Sequence, residues 1–171
     1  SALAARAIHR DHPERILETV RDDANLRRVL SRAVKLEGHG DNVAPALLGG
    51  FIIVVPNGRG PIIEKVPFQP MRVSVCVPRY DFLTSVARAA LPGQYSKEDA
   101  IFNVGHALLI SHALREGDEK LLAESMGDRI HEPYRLPLIP GAAEAKKAAL
   151  SAGATAACLS GAGPGMIAFA S

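Results

Sequence analysis

The run from Glu37 to Gly50, EGHGDNVAPALLGG, constrains this chain most: ionisable residues separated by glycines lead directly into a small-residue segment and a glycine pair. Gly38 and Gly40 let the backbone turn sharply, so Glu37, His39, Asp41 and Asn42 can be aimed into one space. Asp41 and Asn42 can equally cap a short helix over 43–48, which Gly49 and Gly50 end before the all-apolar strand 51–55. Spacing alone leaves two readings open, one wall of an active site or ordinary capping beside a solvated helix end. A metal held by His39 is disfavoured, because no second His or Cys stands at ligand spacing. A lone carboxylate is better suited to Mg2+ held mainly by phosphate oxygens.

Composition excludes several classes. An apolar share of 47% across 171 residues fills a sizeable core, as expected of a soluble globular chain. Aromatics make up only 5% with no Trp, and the formal charge is +2, so neither a base-stacking surface nor a polyanion partner is expected. No apolar run is long enough to span a bilayer. Cys76 and Cys158 both fall in apolar strand-like runs and read as inert core thiols of a reduced compartment, the cytosol. The sequence opens on Ser1-Ala2-Leu3 with no initiator Met, and an upstream segment is expected.

Taken in order, the chain predicts helices over 1–10 and from Pro13 to about 20. A third, capped by Asp22 or Asp23, carries Leu26, Val29, Leu30, Ala33, Val34 and Leu36 at helical spacing and stops at Gly38. Strands 51–55 and 62–66 form a hairpin around a turn-rich loop. Pro67 to Pro70 marks a domain boundary, dividing the chain into 1–67 and 68–171. A strand from Met71 to Val77 follows, then a short helix before Leu91-Pro92-Gly93. Ser96 caps the longest helix, whose core stripe is expected to include Ile101, Val104, Ala107 and Leu108 and which Gly117 ends. Asp118 caps the next helix, to about Met126. Three prolines make 128–140 a loop or broken helix. A helix over 141–152 and two strands, 154–159 and 166–170, complete an α+β fold with helices on one face of an antiparallel sheet.

Ser160 to Gly165, SGAGPG, joins those two strands, and a turn of such small residues can present backbone N–H groups to an anion. Arg135 in HEPYR and Arg88 near Thr84 add two guanidinium forks suited to a carboxylate. Solvated surface charge is the simpler reading of these arginines unless they point inward. His131 and Glu132 as an acid/base pair, and Cys158 as a nucleophile, are discounted, since no base adjoins the thiol.

Four segments together resemble the homoserine kinase family of the GHMP small-molecule kinases. They are EGHGDNVAPALLGG at 37–50, TSVARAALP at 84–92, IHEPYRLPLIPG at 130–141 and LSGAGPGMIAF at 159–169. The family's phosphate loop, of the P-x-x-x-G-L-G-S-S-A type, is absent, and Gly40 stands where the family commonly has Pro. The resemblance implies a two-lobed α+β kinase fragment: 1–67 as the remainder of an ATP-binding N-terminal domain, 68–171 as a ferredoxin-like C-terminal domain. It implies ATP and Mg2+ as cofactors, with Glu37 as metal ligand. Ser1 would be a second ligand if it is the tail of the missing loop. Arg88 and Arg135 would grip the carboxylate of homoserine, with His39, Gly161, Ala162 and Gly163 at the same end. Asn42 and Thr84 would face the γ-phosphate and the substrate hydroxyl, and Asp41 would support rather than act as a base. A homodimer is admitted as an assembly; no nucleic-acid or membrane partner is expected. The alternatives are another GHMP kinase of mevalonate or shikimate type, or a non-catalytic amino-acid-binding module of ferredoxin-like shape.

Overall fold

The computed structural model describes residues 24–58 and 60–170. The helices expected over 1–10 and 13–20, the Asp22 and Asp23 caps, and Ser1 lie outside the described residues. The chain divides after Phe68 into two units.

In the first unit, α1 (Ala24–Glu37) buries Leu30, while Val29 and Leu36 of the expected stripe are exposed. Gly38 ends it at φ +86°, donating its N–H to the Val34 carbonyl at 2.8 Å. Gly40 is buried for a different reason. A Cβ there would stand 3.0 Å from a Val54 methyl and 3.4 Å from a Val34 methyl, so the missing side chain is what lets the loop lie against both. Helix α2 (Val43–Leu48) buries Ala44 and Leu48, four residues apart on one face. The Leu48 carbonyl, at the negative end of that helix, accepts from Lys65 Nζ at 3.2 Å. Lys65 belongs to β2 (Ile62–Val66), which pairs antiparallel with β1 (Phe51–Val55) from Phe51↔Val66 to Val55↔Ile62. The hairpin expected from sequence is present.

The second unit holds β3 (Arg72–Cys76), α3 (Thr84–Ala89), α4 (Lys97–Glu116), α5 (Glu119–Ser125) and α6 (Glu132–Arg135). A 3-10 turn (Leu136–Leu138), α7 (Ala142–Ser151), β4 (Ala156–Leu159) and β5 (Met166–Ala170) follow. The sheet order is β3-β5-β4, antiparallel throughout. The elements therefore trace β-α-β-β, the leading part of the β-α-β-β-α-β ferredoxin-like arrangement. The fold is α+β.

Local signals placed the helix ends well. The Ser96 hydroxyl accepts the Asp99 N–H at 3.0 Å, the Asp118 carboxylate accepts the Leu121 N–H at 2.9 Å, and Gly117 is left-handed at φ +71°. The buried face of α4 was misjudged. Ile101, Val104 and Leu108, expected in the core, are 63%, 64% and 68% exposed, and Ala107 is exposed too. Ala113 is the buried residue of α4, packed with Leu122 of α5 and Ala156 of β4 and flanked by Ile110 and Leu114. The helix is apolar around much of its circumference, so its own periodicity does not choose a face; contact with α5 does. Cys76 corrects a second expectation. It is exposed rather than in a core, because β3 is an edge strand whose five residues are all uncovered.

A pair of truncations reads out the packed face. Leu122→Ala should cost about 2–5 kcal/mol, while Leu108→Ala should stay within about 0.5 kcal/mol; denaturant midpoints measure both.

Candidate active site

Glu37 is the last residue of α1 and is exposed. His39 is half-buried, and its Nδ1 pairs with Asp41 Oδ1 at 2.5 Å. The same oxygen accepts the Asn42 N–H at 3.1 Å. This corrects the capping expectation: Asp41 is engaged by His39 and its own neighbour. Asn42 occupies the N-cap position of α2 but makes no cap bond. Its backbone is already helical, at φ −90° and ψ −38°, whereas a capping residue usually needs extended backbone to bring its side chain over the first turn. The exposed Asn42 amide is therefore free of a helix-capping role.

The second group is centred on Arg135, which is buried at 9% relative exposure. Its Nε donates to the Ala87 carbonyl of α3 at 3.1 Å. Its Nη1 reaches the Gly161 carbonyl of the β4–β5 turn at 3.5 Å, a marginal bond. Neither partner is a carboxylate, and no ion pair involves this guanidinium among the described residues. Arg135 thus ties together α6, α3 and the glycine turn. Thr84 is the first residue of α3 and Arg88 lies in its last turn; both are exposed. The turn is closed by Ser160 N–H to Gly165 O at 2.8 Å and Gly163 N–H to Ser160 O at 3.0 Å. Gly161 and Gly163 have φ of +60° and +84°. At Gly163 a Cβ would also stand 2.5 Å from the Ile139 Cδ1 atom, so the positive φ favours glycine and any side chain there would further require the end of Ile139 to shift.

The Glu37 group belongs to the unit ending at Phe68, and the Arg135 group to the unit beginning at Gln69. No group of three or more His, Cys, Asp or Glu is placed to hold a metal among the described residues. A single carboxylate such as Glu37 fits a Mg2+ that takes its other ligands from phosphate and water.

Sequence reasoning passed over Asp128, in the loop between α5 and α6. Burial pushes its carboxyl up, but hydrogen bonds from the Asn103 side chain and from the N–H groups of Glu132, Ile130 and His131 outweigh that and hold it at about 2. The available signal was an Asp a few residues ahead of a proline-containing helix start, Pro133. Glu132 Oε2 accepts from Lys146 Nζ at 2.7 Å, and Oε1 is buried without a hydrogen-bond partner. Burial, together with the negative charge of Glu132, pushes the Cys158 thiol up to about 11. A thiol held protonated at neutral pH is no nucleophile.

Residues 110–171 match the family described as GHMP kinases, C terminal. The chain carries this match over its last 62 residues, about a third of its length. It is 43% identical over 142 residues to a homoserine kinase of Moorella thermoacetica, covering 82% of this chain and 48% of that protein. It is likewise 43% identical to one of Synechococcus over 81% of this chain and 46% of the relative. The crystal structure of homoserine kinase from Cytophaga hutchinsonii superposes with a TM-score of 0.74 at 37% identity, over 77% of this chain and 42% of that one. The chain spans about half the length of the curated relatives it matches. No helix among the described residues is long and apolar enough to cross a membrane.

Acid should expose the Asp128 network. Its folded pKa lies below the ordinary 3.8, so its contribution is complete above about pH 4 and is lost as pH falls through about 2. After discounting for its partial exposure, that contribution should be about 1–2 kcal/mol. Melting temperatures of the wild type and Asp128→Asn between pH 5 and 2 should converge as the pH falls.

Proposed function

We propose that this chain is part of a kinase that phosphorylates the side-chain hydroxyl of L-homoserine at the expense of ATP, giving O-phospho-L-homoserine on the way to threonine. The observation that carries this reading is Arg135, a buried cation beside a glycine turn, with carbonyl partners and no carboxylate among the described residues. An isolated buried charge is costly, and the carboxylate of an amino-acid substrate would offset that cost with charge-assisted bonds. The names of the similar proteins point to the same substrate.

In this reading Arg135 and Arg88 bind the homoserine carboxylate, with His39, Gly161, Ala162 and Gly163 contributing to the substrate site. Asn42 and Thr84 orient the γ-phosphate and the attacking hydroxyl. Glu37 holds Mg2+, with Ser1, outside the described residues, assigned as a further ligand for the metal and nucleotide. The bound Mg2+–ATP supplies the phosphoryl group and neutralises its charge. Glu37 suits a dication on electrostatic grounds. It is an anion at the negative end of α1, only partly balanced by Lys35 in the same turn, and a cation there would relieve both fields. Asp41, paired with His39, supports the loop and is not assigned as base. A loose phosphoryl-transfer transition state needs alignment more than early proton removal. Residues 1–67 are assigned to the end of an ATP-binding domain and 68–171 to a ferredoxin-like C-terminal domain, with the cytoplasm as compartment.

In the complete protein carrying this chain, homoserine-dependent ADP release is expected. Arg135→Leu should raise the KM for homoserine by a factor of about 30, equivalent to about 2 kcal/mol, and leave the KM for ATP unchanged. An unaltered KM for homoserine would refute the assignment.

A further inference from the structure

Arg135 ends a helix too short to hold itself. α6 has four residues, fewer than an isolated helix needs to repay its nucleation cost. His131, at its N-cap position, makes no side-chain cap. The N–H groups entering this turn are instead held by two side chains from elsewhere. Asp128 Oδ1 accepts from Ile130 at 2.9 Å, and Oδ2 accepts from His131 at 2.9 Å and from Glu132. Asn103, midway along α4, donates its Nδ2 to Asp128 Oδ1 at 2.6 Å and accepts the Arg129 N–H on its Oδ1 at 2.8 Å.

Four consecutive N–H groups, 129 to 132, are thus satisfied by one carboxylate and one amide. The amide is anchored in the longest helix of the unit. Further ties act on the same segment. The Tyr95 hydroxyl donates to the Ile130 carbonyl at 3.0 Å, and the Arg129 guanidinium lies 3.9 Å above the Phe102 ring. Arg135 follows three residues after the last N–H held by Asp128.

We propose that Asp128, clamped by Asn103, is a positioning residue for Arg135: it fixes the start of α6 against α4 and thereby aims the guanidinium between Ala87 and Gly161. Its consequence for catalysis rests on Arg135 binding the substrate carboxylate, as proposed above. The structural half of the inference does not. Because Asp128 acts through the backbone of 129–135, its loss should disturb substrate capture rather than nucleotide binding or the chemical step.

The test compares Asp128→Asn, Asn103→Ala and Asp118→Ala in the complete protein. The last removes the cap of α5 and serves as a matched loss of a helix cap away from Arg135. The Arg135 Nε–Hε resonance, assigned by its disappearance in Arg135→Lys, reports the bond to Ala87 directly. Asp128→Asn should shift this resonance and speed its solvent exchange. The KM for homoserine should rise about tenfold, as misplacement of a substrate-holding group does, with kcat and the KM for ATP within about twofold. Asp118→Ala should lower the melting temperature yet leave the resonance and both KM values in place. An unmoved Arg135 resonance in Asp128→Asn overturns the proposal whatever the protein phosphorylates. So does an unmoved KM for homoserine in Asp128→Asn where Arg135→Leu raises it. If the resonance moves while Arg135→Leu also leaves that KM untouched, the positioning holds and the substrate assignment fails. Should Asp128→Asn not fold, Asn103→Ala keeps the carboxylate and its backbone bonds and should give the same changes at smaller amplitude; no change there overturns the proposal.

Discussion

A buried guanidinium that meets carbonyls, and no anion among the described residues, is the interaction that organises the second unit. Arg135 is kept from water by its neighbours and, among the described residues, is compensated by the carbonyls of Ala87 and Gly161. Carbonyl dipoles offset part of the desolvation cost of a cation, and the remainder must be met by the rigidity of the frame around it. That frame is visible. α3 supplies one carbonyl, the β4–β5 turn another, and α6 the side chain itself. α6 in turn is tied to α7 through Glu132 and Lys146 and to α4 through Asn103. Each contact would be ordinary alone. Together they hold a charge where an open chain would not leave one.

The first unit uses steric closeness rather than buried charge. Gly40 lies between Val34 and Val54, so the polar loop is pressed against α1 and β1 while Glu37, Asp41 and Asn42 remain exposed. The Asp41–His39 pair sits in this loop and restrains the imidazole. Small residues at the turn and apolar ones beneath it thus leave the polar side chains outside without leaving their backbone loose. The Lys65 bond to the end of α2 fastens the hairpin to the same loop.

What could be read in advance follows the range of the physics involved. The Ser96 and Asp118 caps, the glycine stop at Gly117 and the 51–66 hairpin are settled within a few residues, and each was legible. The face of α4 was not, because Ile101, Val104 and Leu108 are as apolar as Phe102 and Ile110, and only the partner helix separates them. The cap that Asn42 could have supplied, one of the two readings its spacing left open, is not made, for a related reason. Residue type favours a cap there, but capping depends on a backbone angle that no residue type reveals. Arg135 and the turn holding Gly161 were singled out by residue type and by resemblance, whereas their meeting, and the burial that gives it force, spans 26 residues of chain. Asp128 drew no attention because its work is done on N–H groups, which every sequence has.

The surroundings of Arg135 differ in how freely they could drift over evolutionary time. α3 buries only Ala87, and it meets the guanidinium through a main-chain oxygen that any residue would provide. Thr84, Ser85 and Arg88 on the same helix are exposed and can be exchanged with little disturbance to the frame. The glycine turn has less latitude, since Gly163 holds a positive φ and a side chain there would have to displace the end of Ile139. A lineage built on this unit could therefore change the reader carried by α3 while retaining the charge that anchors it, acquiring new selectivity without first losing its fold.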